Sequence, residues 1–465
     1  SNQNDQHGGQ SIPAFDYFLA PGVLKTFKKQ FKQTLYDYFD LMGFVNLIKW
    51  EHIVKDIDKL KTIEFPIEEF QEYYKDSSEV ERIFRVSYDK AIAKTNRMTY
   101  QAMEAFIHNL NTMHSRAGAQ VPFSSINFGT DTTPEGRMVT KNYLLAADAG
   151  LGKGETPIFP ISIFKVKEGL NYNPGEPNYD LFQLSCKVSA KRLFPNFSFI
   201  DASFNLPYYK PGDYKTEIAY MGCRTRVISD VTDPNHQVVT GRGNLSWTTI
   251  NLPRLGIKHG ICLKERDKAD MKGFYQELEE LMDMVKDQLL ERFEIQCNKH
   301  NYNFPFLLGQ GVWNDGEKLK PTDRLRKVWK HGSLSIGFIG LAECLKALIG
   351  KHQGESEEAQ KLGLEIIGFM RKKCDEYAEK YNLNFACLAT PAEGLSGRFT
   401  NIDKAIYGKI KGVTDREYYT NSFHVPVYYN TSITHKIKTE APYHELTNGG
   451  HISYIELDGD AAQNV

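Results

Sequence analysis

The chain has 465 residues, with 57 Lys and Arg against 58 Asp and Glu and 41% hydrophobic residues. This balance is typical of a globular protein with a sizeable core, and it excludes the basic excess of a general nucleic-acid-binding surface. No run of about 18 apolar residues predicts a membrane span, and the first ten residues lack a signal-peptide pattern, so we expect a cytoplasmic protein. Seven cysteines without CxxC pairs indicate neither a disulfide framework nor a cysteine zinc site.

The first 115 residues are predicted to be mainly helical. From Val23 to Leu60 apolar residues recur at helical spacing with Lys and Asp between them, and the pattern continues through "MEAFIHNLNTMHSR". The segments "VPFSSINFGTD" and "TPIFPISIFKV" then break this period with β-branched and aromatic residues bounded by Gly and Pro, as buried strands do. Strands therefore begin soon after the helical region.

Strand and helix patterns alternate through the rest of the chain. "YDLFQLSCKVSAKRLF" and "DKADMKGFYQELEELMDMVKDQLLERFEIQC" predict helices, whereas "NFSFIDASFN", "EIAYMGCRTRVISD" and "GRGNLSWTTINLPRLGI" predict strands or extended segments. "NFPFLLGQ", "SLSIGFIGLAECLKAL", "NFACLATPAEG" and "GHISYIEL" continue the alternation. This order favours a mostly parallel sheet wrapped by helices, for which a barrel is a natural closure.

One cysteine has neighbours that suggest chemistry. Cys223 lies in "YMGCRTRV", between Gly222, which allows close approach of backbone, and Arg224, whose charge favours a thiolate or an anionic ligand. A small core residue is the structural alternative for any lone cysteine on an apolar stretch. The other six cysteines fit that alternative.

Polar residues also follow or precede several predicted strands. "LATPAEGLSGRF" places Thr390 and Glu393 just after an apolar strand, where α/β proteins bind ligands, although the same residues make a good helix start. "HGSLSIGFIGLAE" places Ser333 in a similar pattern with the same alternative. His114 and Gln120 precede a strand and suit either a nucleotide contact or a helix-to-sheet connection.

Several segments together resemble one family, the anaerobic (class III) ribonucleoside-triphosphate reductases, which are glycyl-radical enzymes. They are "GGQSIPAFDYFLAP", "YMGCRTRV", "GRGNLSWTTINLPRLGI", "HGSLSIGFIGLAE", "LATPAEGLSGRF", "GVTDREYYTNSFHVPV" and "EAPYHELTNGGHISYIE". They occur in the order that the family has them and extend from about residue 7 to residue 457. The resemblance thus covers nearly the whole chain.

The resemblance implies a radical reaction at Cys223. In this family the cysteine of "MGCR" becomes a thiyl radical that abstracts the ribose 3′-hydrogen, after which the 2′-hydroxyl leaves as water. Asn244 in "GRGNL" matches the family's active-site asparagine, with Asn251 as the alternative. Thr390 and the backbone at Ala392 would contact ribose and phosphates.

The resemblance extends to less specific positions of the substrate pocket. Glu393 would be a polar or acid–base participant, and Ser333 would contribute to the substrate site. His114 and Gln120 would line its wall. No residue of this chain is expected to bind a metal.

The family fold implied is α/β, a ten-stranded barrel of two five-stranded halves with the cysteine on a loop inside. Residues 1–115 would form a helical dimerisation and effector region leading into a catalytic barrel core of residues 116–465. The resemblance further implies ATP or deoxynucleotide effectors, formate or a dithiol as reductant, a homodimer, and a radical-SAM iron–sulfur activase. No nucleic-acid or membrane partner is expected.

Three features of the family have no counterpart in this sequence. The motif "RVCGYL" with its radical-bearing glycine, the four-cysteine zinc module before it and the amino-terminal ATP-cone do not occur in it. We therefore expect a fragment that is incomplete at both ends, with the glycyl radical and zinc in the missing part, and inactive alone. The alternatives are a glycyl-radical enzyme of the pyruvate formate-lyase type, which the single cysteine of "MGCR" disfavours, and a non-catalytic nucleotide-binding regulator.

Overall fold

The structure is a computed structural model that describes residues 8–45, 49–114 and 121–456. These residues form two compact units, and the division falls between Ala202 and Ser203. The predicted boundary near residue 115 concerns function and stays a prediction. Among the described helices, none is long and apolar enough to cross a membrane.

The first unit combines long helices with a small sheet. The α-helices among its described residues are α1 (Phe15–Leu41), α2 (Trp50–Lys59), α3 (Gln71–Tyr74), α4 (Ser78–Thr112), α5 (Pro134–Ala149) and α6 (Tyr179–Arg192). Its strands are β1 (Gln10–Ile12), β2 (Ser124–Phe128), β3 (Ile161–Val166) and β4 (Asn196–Phe199). The strands pair in chain order, and each pair is parallel.

Local sequence explains where the first unit's long helices begin. The Ser77 hydroxyl accepts a hydrogen bond from the Val80 amide at the start of α4. The Thr133 hydroxyl does the same for Gly136 at the start of α5. The apolar faces of α1, α4 and α5 then pack together with β2 and β3 in one core.

The second unit holds the remaining elements. Its described strands are β5 (Tyr220–Met221), β6 (Thr225–Arg226), β7 (Asn244–Asn251), β8 (Ser333–Ile339) and β9 (Asn384–Ala389). Its described α-helices are α7 (Leu252–His259), α8 (Met271–Cys297), α9 (Arg326–Trp329), α10 (Leu341–Ile349), α11 (Glu357–Tyr381), α12 (Glu393–Tyr407) and α13 (Ile433–Leu446). Strands β7, β8 and β9 form a parallel sheet, and β5 and β6 form an antiparallel hairpin.

The structure confirms the α/β class and the parallel strands. Seven of the described strands lie in parallel sheets of four and three, and hydrogen bonds between described strands do not record closure into the ten-stranded barrel. The helical nature of the first region and the predicted helices α6 and α8 are also confirmed. Helix α8 begins at an Asp270 side chain that accepts from the Gly273 amide.

Three predicted extended segments are wrong in whole or in part. In "NFPFLLGQ" the backbone turns, because Leu308 and Gln310 donate to carbonyls four residues back, and Pro305 has no amide to donate to a strand. The second half of "GRGNLSWTTINLPRLGI" is α7, since the Asn251 side chain caps it. "GHISYIEL" forms isolated bridges at Gly450 in place of a strand over the part described, which ends at residue 456.

Candidate active site

The two faces of β8 have different chemistry. Side chains alternate along a strand, so Ser333, Ser335 and Gly337 share one face, and Leu334, Ile336 and Phe338 share the other. The three apolar side chains are buried in the core with α8, α10 and α11. The opposite face is also buried, but it carries hydroxyls and a glycine.

Side chains from β7 and from the end of β9 meet on this small, polar face. Asn244 pairs with Ser333 in the strand register, and its Nδ2 donates to the Ser335 hydroxyl at 2.6 Å. The Thr249 and Thr390 hydroxyls lie 3.1 Å apart. A Cβ at Gly337 would lie 1.9 Å from the Thr390 Oγ1, so the close approach of Thr390 requires glycine there.

Two buried polar atoms on this face lack a partner. Among the described residues, neither Asn244 Oδ1 nor Ser333 Oγ has a hydrogen bond. Leaving such an atom buried and unpaired is unfavourable by about 1–3 kcal/mol. Exchanging the oxygen and nitrogen of the Asn244 amide would still leave one of them unpaired on this side. These two atoms are therefore able to form hydrogen bonds with a polar group placed next to the face.

Cys223 lies at the turn of the β5–β6 hairpin. Met221 and Thr225 are paired, so residues 222–224 form the turn, and Gly222 adopts a φ of +61° that favours glycine. Cys223 itself is half-buried. The Met221 sulfur lies 3.9 Å from the Cβ position of Gly243, just before β7. The hairpin thus approaches the start of β7.

The same hairpin is fixed to the edge of β9. Gly450 bridges to Thr225 on one side and to Leu388 on the other, and the Ala389 amide donates to the Gly450 carbonyl at 3.0 Å. A Cβ at Gly450 would lie 2.0 Å from the Arg224 carbonyl oxygen, so only glycine fits between the two segments. The position of the Cys223 turn therefore depends on "NGGH".

Arg224 connects the cysteine turn to the end of β9. It is buried, and its Nη1 lies 3.4 and 3.3 Å from the carbonyl oxygens of Ala389 and Thr390. Its Nη2 lies 3.5 Å from the Tyr454 hydroxyl, and its Nε has no partner in the described part of the chain. The residue after Cys223 thus lies at the carboxyl end of β9.

Tyr454 is a residue of this site that the sequence patterns did not single out. Burial raises the pKa of its phenol, the nearby Arg224 opposes that shift, and Cys223 and Glu393 add to it. Tyr454 is therefore within electrostatic range of the thiol and of the first residue of α12. It belongs to the segment "GHISYIE", but no local pattern distinguishes it from a packing tyrosine.

The stretch "TPAE" leads into α12, and one of its backbone amides already has a side-chain partner. Thr390 is buried, Ala392 is the N-cap residue, and Glu393 is exposed as the first helical residue. The Ala392 amide already donates to the Asn421 side chain at 3.2 Å. Amides further into the first turn of α12 are better placed for an anion than that of Ala392.

The predicted site residues lie in two groups along one sheet. Thr390 and Glu393 follow the carboxyl end of β9, and Arg224 connects the Cys223 turn to that end, whereas Asn244 and Ser333 begin β7 and β8. The Asn244 amide donates to the Ser335 hydroxyl. Ser335 lies two residues, or about 7 Å, along β8 from Gly337, which is the glycine that Thr390 approaches closely. The two groups therefore border one polar face.

Asn251, the alternative to Asn244, is the other candidate of the second unit. Asn251 is engaged elsewhere, because it caps α7 and donates to Asp403 at 2.8 Å. His114 is exposed in the first unit, just past the end of α4. Gln120 lies outside the described residues.

Comparison with known proteins identifies the family. The family model described as anaerobic ribonucleoside-triphosphate reductase matches residues 1–465. The chain belongs to this family. The anaerobic ribonucleoside-triphosphate reductase of Salmonella typhimurium is 33% identical over 370 residues, which is 79% of this chain and 49% of that protein. The phage T4 enzyme of the same name is 35% identical over 370 residues, 79% of this chain and 58% of its own length.

Solved structures support the same fold. The anaerobic ribonucleotide reductase of Thermotoga maritima with citrate in its active site has a TM-score of 0.54 at 17% identity, covering 80% of this chain and 63% of that chain. The same enzyme with glycerol in its active site has a TM-score of 0.54 at 15% identity, covering 96% and 79%. The chain spans about half the length of the curated bacterial relatives it matches.

Proposed function

We propose that this chain is the catalytic core of an anaerobic reductase that converts ribonucleoside triphosphates to deoxyribonucleoside triphosphates. The observation that carries the proposal is the polar face of β8, where Asn244 Oδ1 and Ser333 Oγ are buried without partners in the described residues. The Cys223 turn is fixed next to the same sheet. Family membership supports the proposed reaction class, and this arrangement supports the choice of residues.

Cys223 is proposed as the group that reacts with the ribose. A thiol S–H bond is similar in strength to a ribose C–H bond, so a thiyl radical at Cys223 can take the 3′-hydrogen and later return it. The glycyl radical typical of this family would supply the unpaired electron, from a glycine outside these 465 residues. Half-burial in a turn limits the access of water to the sulfur.

Asn244 and Ser333 are proposed to hold the ribose hydroxyls. An amide oxygen accepts a hydrogen bond, and a serine hydroxyl can donate or accept, so the two atoms suit a diol. Binding would satisfy both atoms together. Departure of the 2′-hydroxyl as water also requires a proton, and Glu393 is the proposed donor.

The remaining contacts follow from the family resemblance. Thr390 and the first turn of α12, from Ala392 onwards, are proposed to contact ribose and phosphates. His114 and Gln120 are proposed contacts of the pocket wall. We further propose formate or a dithiol as reductant, ATP or deoxynucleotides as effectors, a radical-SAM activase, a homodimer and a cytoplasmic location.

The test is anaerobic conversion of CTP to dCTP by the complete gene product with its activase, formate and a dithiol. Cys223→Ser should abolish dCTP formation while the glycyl radical signal persists. Cys262→Ser is the matched control, since Cys262 is also half-buried, and it should retain activity. Equal turnover in wild type and Cys223→Ser would reject the role of Cys223, and no dCTP from the radical-loaded wild type would reject the function.

A further inference from the structure

A buried charge cluster lies beside the amino-terminal ends of β7, β8 and β9. The Asp230 Oδ2 accepts from His331 Nδ1 at 2.7 Å and lies 3.8 Å from Arg242 Nε. The Asp230 Oδ1 accepts from Asn384 Nδ2 at 3.1 Å. All four side chains are at most 9% exposed, so the cluster is shielded from solvent.

The cluster connects the starts of all three strands. Arg242 precedes β7 by two residues, His331 precedes β8 by two residues, and Asn384 is the first residue of β9. Arg242 Nε also donates to the His331 carbonyl at 2.8 Å. One carboxylate thus holds together three backbone segments that are far apart in the sequence.

The same cluster fixes the loop that leads from the Cys223 hairpin to β7. The Arg242 guanidinium donates to the carbonyls of Ile228 at 2.7 Å and Ser229 at 2.9 Å. The Asp230 amide donates to the Gln237 side chain at 2.8 Å. The loop therefore cannot move without disturbing the partners of Asp230.

The charges in the cluster are balanced locally. Burial alone would raise the pKa of Asp230, but the His331 hydrogen bond and the Arg242 charge outweigh it and hold that pKa well below its ordinary range. Asp230 is therefore a carboxylate at neutral pH. Its loss would leave Arg242 buried without its counter-charge, a strongly unfavourable state.

We propose that Asp230 is a positioning residue, which acts through His331 and Arg242 to set the geometry of Ser333 and Asn244. Ser333 lies two positions after His331, and Asn244 lies two positions after Arg242. The Ser333 amide donates to the carbonyl of Gly243 at 3.0 Å, and this hydrogen bond joins the start of β8 directly to the residue before β7. The inference rests on the proposed function, because it assumes that Asn244 and Ser333 contact substrate.

The experiment is a double-mutant cycle in the complete, radical-loaded protein. Asp230→Asn should lower kcat by about 10–100-fold at unchanged radical content, because a small displacement of catalytic groups has effects of that size. In an Asn244→Ala/Ser333→Ala background the same substitution should lower kcat by less than about threefold, because both residues through which Asp230 acts have lost their side-chain contacts. Equal factors in both backgrounds would show that Asp230 acts independently of Asn244 and Ser333, which would overturn the proposal.

A matched control and a second readout keep the result interpretable. Asp403 is equally buried and is bound by Arg254, Asn251 and Tyr419 at the other end of β7. Asp403→Asn should therefore be additive with Asn244→Ala/Ser333→Ala. The same double-mutant cycles can also be measured with the Kd for CTP as the readout. Binding needs no turnover, so this measurement remains decisive if the Asn244→Ala/Ser333→Ala background is inactive.

A second pair of variants covers the case in which Asp230→Asn does not fold. In His331→Asn the amide nitrogen can replace Nδ1 as donor to Asp230, whereas His331→Ala removes the donor. Most CTP affinity should survive in the first variant and be lost in the second, and equal losses would overturn the proposal. Failure of wild type to bind or reduce CTP would instead reject the proposed function itself.

Discussion

The two faces of the sheet formed by β7, β8 and β9 contribute differently to the protein. On one face, Leu334, Ile336 and Phe338 are at most 1% exposed in a core built with α8, α10 and α11. Burying each such side chain is worth about 1.5–3 kcal/mol. On the other face, Ser333 keeps a buried hydroxyl without a partner in the described residues. One face supplies stability, whereas the other is destabilised by a buried polar atom without a partner.

The largest expected effect comes from breaking the apolar face. Phe338→Ala should lower the free energy of unfolding by about 3–5 kcal/mol, because a fully buried aromatic ring is lost and a cavity remains. Urea denaturation followed by circular dichroism measures the change. Phe306→Ala is the control, since Phe306 is 43% exposed and should change stability little. Equal shifts would contradict the assignment of this face as core.

Acid should loosen the segment beside the polar face. Burial and the nearby Arg224 lower the pKa of His424 to about 3, and burial lowers that of His444 to about 4. The unfolded chain therefore binds more protons than the folded one below pH 6.5, so stability is complete above that pH and declines as pH falls. The two groups together should remove about 3 kcal/mol between pH 6.5 and 5.

The measurement is the unfolding free energy as a function of pH. His424→Gln should reduce the decline by about 1.5 kcal/mol, which is half of what His424 and His444 contribute together, because the substituted side chain no longer titrates. His236→Gln is the control, since that side chain is largely exposed. The explanation fails if all three proteins lose stability equally with pH.

Overfilling the polar face should have an intermediate effect. Gly337→Ala places a Cβ 1.9 Å from the Thr390 Oγ1 and should lower stability by about 1–3 kcal/mol. Adding Thr390→Ala removes the colliding hydroxyl and should restore most of the stability, while CTP affinity stays weak because Thr390 is a proposed contact. Thermal unfolding and a CTP titration of both variants test this. No recovery in the double variant would contradict the steric explanation.

The smallest effect separates the two hydroxyls of the polar face. Ser333→Ala should leave stability unchanged or raise it by up to about 1 kcal/mol, because the lost hydroxyl has no partner among the described residues, and it should weaken CTP binding. Ser335→Ala should lower stability by about 1 kcal/mol, since that hydroxyl accepts from Asn244. Equal destabilisation by both substitutions would indicate a structural partner for Ser333.

Local sequence patterns predicted correctly those elements in which the apolar residues of the pattern are also the ones that are buried. The alternation in "SLSIGFI" and the helical period of α8 were sufficient because each element buries a face that its own residues define. "NFPFLLGQ" is apolar but turns at Pro305, and the apolar "LPRLGI" is a helix because Asn251 caps it. In such short apolar runs, capping and proline outweigh composition.

The residues discussed at the site also differ in whether a local sequence pattern points to them. Cys223 could be singled out as a candidate because its motif is contiguous in the sequence. Tyr454 contacts Arg224 across 230 residues, and Asp230 contacts His331 across 101 residues, so no local spacing predicts either pair. Their neighbours are decided by strand register and loop path.

The amino-acid sequence by itself determined the α/β class, the order of most elements and the family, and it singled out Cys223 as a candidate, because these depend on short-range periodicity and contiguous motifs. Only the tertiary structure decided that Asn244, Ser333 and Thr390 share one buried face, and that some of their atoms are satisfied while others are not. The physical reason is that hydrogen-bond partners in a parallel sheet come from strands joined by long connections. Which polar atoms remain available for a ligand is therefore settled by packing.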